Sequence, residues 1–153
     1  MTTSTVRVGV GCFVVRPNGD FITGVRKGSH GAGCVQLPGG HLEVGESFAG
    51  CAEREVLEEC GIDLRVACRA PPEFVTATND IFAIKHYVTV FVVARLEQDV
   101  EPTVMEPDKC ESWRWTSWNQ LVEMATSSGT GPEVFLPLRN LVQQRPDVDP
   151  TRV

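Results

Sequence analysis

The sequence predicts a single α/β or α+β domain, a β-sheet with flanking helices. Three observations lead there. The chain has 153 residues, about the length of one domain and enough to bury roughly two-thirds of the unfolded surface. Val-rich runs of strand length recur along it, with helically spaced segments between them, so the two element types are intermixed. Hydrophobic residues make up 42% and charged residues 22%, both near globular averages, which excludes wholesale disorder.

Val6–Val15 reads as a strand. Pro17-Asn18-Gly19-Asp20 is a turn signal, and Phe21–Arg26 returns as a second strand. Residues 27–33 (KGSHGAG) read as a flexible loop, and Cys34–Leu37 as a short strand ending at Pro38-Gly39-Gly40. Ser47–Cys60 has helical spacing, with Ala49, Ala52, Val56 and Leu57 on one side and Gly61 as its stop. Ile62–Ala67 reads as a strand, and no element is assigned to Cys68–Ala83. His86–Leu96, nearly continuous and β-branched, is the strongest strand and is expected to be buried on both faces. Ser112–Thr116 is a short alternating strand. Ser117 with Gln120 forms a capping box for a helix through about Ala125, and a last helical turn or two runs from Pro137 to Gln144. Residues 1–153 are taken as one domain, with 1–5 and 145–153 as flexible ends and 126–132 as a loop too short to be a linker.

Composition also excludes partners. Mean hydropathy is −0.07, and the longest apolar run, Tyr87–Ala94, is strand-sized, whereas a membrane span needs about 20 residues. The net charge is −6 and no Lys/Arg cluster occurs, so a nucleic-acid polymer is not an expected partner. Small anionic substrates stay open, because bound divalent cations invert the local field. Met1–Val8 has no apolar signal core, so a cytoplasmic location is expected. The six cysteines form no C-x-x-C pair and read as buried thiols rather than as a disulfide framework or zinc site.

The chemistry-bearing stretch is Gly40–Ile62. Glu55, Glu58 and Glu59 stand at i, i+3 and i+4, which puts three carboxylates on one helix face within a turn. Only Arg54 is near enough to relieve their repulsion. Such a face is either a solvated acidic surface or a site for a hard divalent cation, which takes oxygen ligands. Two features favour the cation. The opposite helix face is small and apolar, so the helix is packed. A Gly-rich segment, Pro38-Gly39-Gly40, precedes it, where backbone can closely approach an anion.

Gly40, five residues, Glu46, seven residues, then Arg54-Glu55-Val56-x-Glu58-Glu59-x-Gly61-Ile62 resembles the Nudix box at every defined position. The resemblance implies a Nudix fold, a mixed β-sheet sandwiched between α-helices. It implies Mg²⁺-assisted (or Mn²⁺-assisted) attack of water on a nucleoside diphosphate linked to another moiety. Carried over, Glu55 and Glu59 bind metal, Glu58 is a further ligand or the base, and the Gly40 carbonyl completes the shell. Arg54 pairs with Glu46 and holds the loop against the helix.

Outside the box, Arg26-Lys27-Gly28-Ser29, Gln36–Glu43, His86–Thr89, Glu106–Trp115 and Phe135–Arg139 resemble the MutT-type nucleoside triphosphate diphosphatases, over about residues 7–144. That branch forms homodimers, favours guanine-type bases, including modified ones, and releases monophosphate and diphosphate; one role implied is cleansing of the nucleotide pool. The likeness implies that Gln36, Leu37 (through its backbone), Thr89 and Leu138 line a base or sugar pocket, that Arg26 contacts phosphate, and that Gly39 lets backbone approach the substrate. Packing is the competing role for Thr89 and Leu138, and a solvated charge for Arg26. The three tryptophans, Trp113, Trp115 and Trp118, read as core or interface. Leu136 and Pro137 depart from the pattern of a human member of the branch, and 68–83 matches poorly while leading into the Thr89 strand. Markers of ADP-ribose, dinucleoside polyphosphate and coenzyme A hydrolases are absent at their usual spacing. Two other readings stand beside this one: hydrolysis of a non-nucleoside diphosphate such as a prenyl diphosphate, and a non-catalytic nucleotide-binding module.

Overall fold

The computed structural model of the chain describes residues 5–28, 31–127 and 131–152. The expected loose start at 1–4, Ser29 and His30 of the glycine-rich loop, 128–130 of the later loop, and Val153 lie outside the described residues. Among the described residues, seven strands and four α-helices follow in the order β1 (Val6–Val15), β2 (Phe21–Arg26), β3 (Val35–Gln36), β4 (Gly39–His41), α1 (Phe48–Cys60), α2 (Leu64–Ala67), β5 (Glu73–Phe82), β6 (Lys85–Arg95), β7 (Cys110–Thr116), α3 (Trp118–Thr126) and α4 (Leu136–Gln144). The sheet runs β3-β2-β1-β6-β5, with β4 also on β1 and β7 also on β2.

The long central pair sets the frame. β1 and β6 run parallel through ten registered pairs, from Val6–His86 to Val15–Arg95. Side chains alternate across these strands, so each feeds two cores. Cys12, Val14, Val90 and Val92 face α1, where Cys51, Ala52, Val56 and Cys60 meet them. Phe13, Phe91 and Val93 face the other way, against Leu121 of α3 and Leu138 and Leu141 of α4. The mixed sheet is thus sandwiched between helical layers, as the resemblance implied.

Helix ends obey local chemistry. Ser47 caps α1 by accepting from the Gly50 amide, and Gly61 closes it with φ at 71°. Ser117 and Gln120 form the expected capping box on α3. Two readings are corrected. The segment Ile62–Ala67 is not a strand: the Asp63 side chain accepts from the Arg65 amide and starts the short helix α2. Leu57 is 42% exposed, and the buried stripe of α1 is Cys51, Ala52, Val56 and Cys60.

The unassigned 68–83 segment carries the edge strand β5, antiparallel to β6, with a register shift between Phe74 and Thr76. The bulge interrupts its alternation, and Asn79 and Asp80 are poor strand formers. At the other end, residues 145–152, expected to be loose, include a 3₁₀ turn at Pro150–Arg152 with Pro150 buried. The six cysteines are free thiols, five of them buried. No helix among the described residues is long and apolar enough to cross a membrane.

Candidate active site

The site is built around β4. Its three residues pair antiparallel with β1, Gly39 opposite Gly11 and Gly40 opposite Val10. A side chain at Gly39 would overlap the Val10 carbonyl, and a Cβ at Gly40 would stand 2.5 Å from the Glu55 carboxylate. Glycine at both positions therefore lets α1 lie directly against the strand.

The three box glutamates separate by helical phase. At about 100° per residue, Glu59 falls only about 20° from Ala52, within the apolar stripe, whereas Glu58 points well away from it. Accordingly Glu59 turns inward and accepts from the Gly39 amide at 2.8 Å. Burial, with the charges of Glu55 and Glu106 adding, pushes its pKa up to about 8. Burial also raises the Glu55 carboxyl above its usual range, and the Arg54 guanidinium opposes it. The Glu58 side chain is half exposed and lies 3.6 Å from Arg54.

Arg54 ties the preceding loop to this helix. Its Nε and Nη2 donate to the two carboxylate oxygens of Glu46 at 2.7 and 2.9 Å, a bidentate pair. Nη1 donates to Glu55 at 2.7 Å, and Nη2 also to the His41 carbonyl at 3.2 Å. Glu46 in turn accepts from the Glu43 amide at 2.9 Å. These bonds hold the Glu46 carboxyl down at about 2.

On the other side of β4 opens a cavity of about 320 Å³. All six residues assigned to the substrate by resemblance line it: Arg26, Gln36, Leu37, Gly39, Thr89 and Leu138. Arg26 Nη1 donates to Gln36 Oε1 at 2.6 Å, and the guanidinium lies 4.1 Å from the centre of the Phe135 ring. Burial lowers the Arg26 pKa from its ordinary value, while the charges of Cys34 and Glu59 work against that shift. Arg26 therefore lines the pocket within electrostatic reach of Glu59.

Sequence reasoning missed several parts. Gly9 and Gly11 of β1 pave the pocket floor, and Phe82, Tyr87, Phe91 and Phe135 supply rings to its walls. Tyr87 stacks between His41 at 5.5 Å and Phe82 at 6.2 Å. No tryptophan lines the cavity: Trp113 and Trp115 pack on the α1-side core and Trp118 on the other. Pro137 lines the cavity, and Leu136, the other departure, does not. Glu106 is the acidic residue of the later loop whose charge acts on Glu55 and Glu59, with Lys109 at 3.5 Å from it; Glu111 is exposed. The only signal for Glu106 was its place in the resembling Glu106–Trp115 stretch.

The donor chemistry fits a hard divalent cation: carboxylates from Glu55, Glu58 and Glu59 beside the Gly40 backbone, all oxygen. As they stand, Glu55 is held by Arg54 and Glu59 by Gly39, and among the described residues no three His, Cys, Asp or Glu side chains are gathered into a ligand cage.

The NUDIX domain profile matches residues 5–137. A MutT NUDIX hydrolase from Burkholderia pseudomallei is similar at 27% identity and TM-score 0.69, over 90% of this chain and 99% of that one. The MutT protein from Methanosarcina mazei Go1 shares the fold at 20% identity and TM-score 0.70, over 94% and 95%. A bifunctional NMN adenylyltransferase/ADP ribose pyrophosphatase from Francisella tularensis shares it at 23% identity and TM-score 0.58, over 77% of this chain and 35% of that one.

Proposed function

The chain belongs to the NUDIX family and is a Nudix hydrolase, and from that premise we propose that it converts (deoxy)nucleoside triphosphates, guanine-type bases foremost, to nucleoside monophosphate and diphosphate. One observation carries the reading. β4 is a wall shared by two chemistries: Gly39 and Gly40 line the cavity on one side, while Glu59 and Glu55 lean on them from the other. A base in the cavity puts its phosphates at the acidic face, with Arg26 lining the pocket within electrostatic reach of Glu59.

In this reading Glu55, Glu59 and the Gly40 carbonyl hold Mg²⁺ or Mn²⁺, with Glu58 as a further ligand or as the base. The cation supplies charge neutralisation on the phosphate oxygens and acidification of the attacking water. As the base, Glu58, the most exposed of the three carboxylates, would take the proton from the water as the new P–O bond forms and the phosphoanhydride P–O bond breaks, giving monophosphate and diphosphate. Arg26 donates to phosphate oxygens, a role its planar fork suits. Arg54 and Glu46 act indirectly, by fixing the loop and the Glu55 carboxylate. Gln36, Leu37, Thr89 and Leu138 bind the base or sugar. The chain works as a homodimer, expected to scatter light at about twice the 16.8 kDa of one chain.

A phosphate-release assay coupled to pyrophosphatase tests this, with products identified by mass. Across the eight common triphosphates, 8-oxo-dGTP, ADP-ribose, a dinucleoside polyphosphate and geranyl diphosphate, guanine triphosphates should lead and yield monophosphate. Turnover confined to a compound other than a triphosphate would overturn the assignment. The ring-rich wall of Phe82, Tyr87, Phe91 and Phe135 favours the prenyl compound as the second reading, and competition by dGTP separates the two.

A further inference from the structure

Among the described residues Asp80 is the only acidic residue in the fully buried set, with no exposed surface at all. It lies on β5 beside the cavity, and the site described above gives it no task. Its Oδ1 accepts from Thr78 Oγ1 at 2.9 Å and from Asn140 Nδ2 at 3.0 Å, and its Oδ2 accepts from Thr89 Oγ1 at 2.5 Å. None of these donors is charged. They come from β5, α4 and β6, and α4 is further clipped to β5 by a pair of bonds between Gln144 and the Asn79 backbone. An uncompensated carboxylate is costly to bury, so an arrangement that keeps one on three neutral donors points to a use.

Thr89 shows the use. A hydroxyl has one proton to give, and that of Thr89 goes to Asp80. What Thr89 turns to the cavity is therefore lone pairs only. Its oxygen stays accessible because Gly9 faces it: even an added Cβ there would be 3.9 Å away. Gln36 has the opposite polarity. A guanidinium only donates, so the Gln36 oxygen is committed to Arg26 and the amide NH₂ is left for a ligand.

We infer that Asp80 is a positioning residue that sets the hydrogen-bond polarity of the pocket, holding Thr89 as an acceptor that selects a base presenting an N–H or NH₂ donor to it, while Gln36 donates to an acceptor on the same base. This deepens the nucleotide reading and rests on it. A normal base edge that swaps a donor for a lone pair meets Thr89 lone pair to lone pair, and a site built this way rejects it, because the oxygen is left buried and unpaired. Asp80→Asn undoes the arrangement: the new amide can donate to Thr89, and the hydroxyl is released to turn its proton into the pocket.

Calorimetric titration with nucleoside monophosphates tests the inference without turnover. The probes are GMP, IMP (only the 2-amino donor removed) and 2-aminopurine riboside monophosphate (the N1 donor made an acceptor and the O6 acceptor lost). The wild type should bind GMP about tenfold or more tighter than at least one analogue. In Asp80→Asn that ratio should shrink at least about fivefold, and in Thr89→Val it should collapse likewise while Asp80 keeps its other two donors. Thr89→Val carries the test if Asp80→Asn melts early. The role of Asp80 is overturned if the wild type binds all three probes alike, or if the ratio survives in the folded variants. Binding of geranyl diphosphate with none of the three nucleotides would instead defeat the nucleotide reading, and this inference with it.

Discussion

The acidic face of α1 and the far wall of the pocket meet along β4 and are built in opposite ways. The three glutamates of the acidic face come from one contiguous stretch, Gly40–Gly61, in which helical phase decides that Glu59 turns in and Glu58 out. The far wall is assembled across the chain: Gly9 from β1, Gln36 from β3, Phe82 from β5, Thr89 from β6 and Leu138 from α4. The first is local geometry that a spacing can encode. The second exists only once distant strands have found their register. On the proposed reading, chemistry and specificity are thus separated in sequence and joined by the strand that carries Gly39 and Gly40.

The sharpest way to break that division is to cut the acidic face alone. Glu59→Gln should weaken divalent-cation binding by more than about 10²-fold, read by Mn²⁺ titration of water-proton relaxation. GMP binding in the pocket should stay within about threefold of wild type. Loss of both together would mean that the two regions are one.

Next is the tether. Arg54→Ala removes four hydrogen bonds to side chains and backbone of the loop and to Glu55. If, as proposed, it acts through the metal ligands rather than on substrate, kcat/KM should fall by about 10- to 100-fold, the usual range for groups that orient metal ligands, with the protein still folded by circular dichroism.

These expectations show how much the sequence could carry. Strand limits at Val6–Val15 and Phe21–Arg26, the helix stop at Gly61, the cap at Ser117, and the Arg54–Glu46 pair were readable because each depends on neighbours within a few residues or on a fixed motif. β5 was not: a bulge blurs its alternation, and Asn79 and Asp80 argue against a strand until β6 pairs with it. Glu106 was missed for a related reason, since only folding brings its loop to the α1 face. The tryptophans, read as core or interface, do pack on the two cores, while the cavity is walled by Phe82, Tyr87, Phe91 and Phe135, whose placement depends on β5, β6 and the start of α4.

On the specificity side, Leu138 belongs to both the core and the pocket wall, 2% exposed. Leu138→Ala should cost about 2–5 kcal/mol of stability, visible as a lower urea midpoint, and should widen base tolerance while Mn²⁺ affinity is unchanged. A change in metal affinity would blur the boundary drawn at β4.

The smallest expected effect concerns pH. In the metal-free protein the Glu59 carboxyl sits at about 8, raised by burial from its ordinary 4.5. The folded state then holds a proton that the unfolded state has lost, so this residue lowers stability as pH rises from about 4.5 to about 8. Glu46 has the opposite sign: held down at about 2, its contribution is full above about 4.5 and is lost as pH falls toward 2. Between pH 5.5 and 8.5 the metal-free wild type should therefore lose melting temperature relative to Glu59→Gln, and Mg²⁺ should reverse the loss. Parallel curves would show that Glu59 is not the group responsible.

The most direct test of the divided site is steady-state kinetics with dGTP and saturating Mg²⁺, comparing wild type, Glu59→Gln and Thr89→Val side by side. Glu59→Gln should lose kcat, whereas Thr89→Val should raise KM and keep most of kcat. Both substitutions acting on the same parameter, or turnover that survives Glu59→Gln intact, would contradict the assignment of chemistry to one face of β4 and recognition to the other.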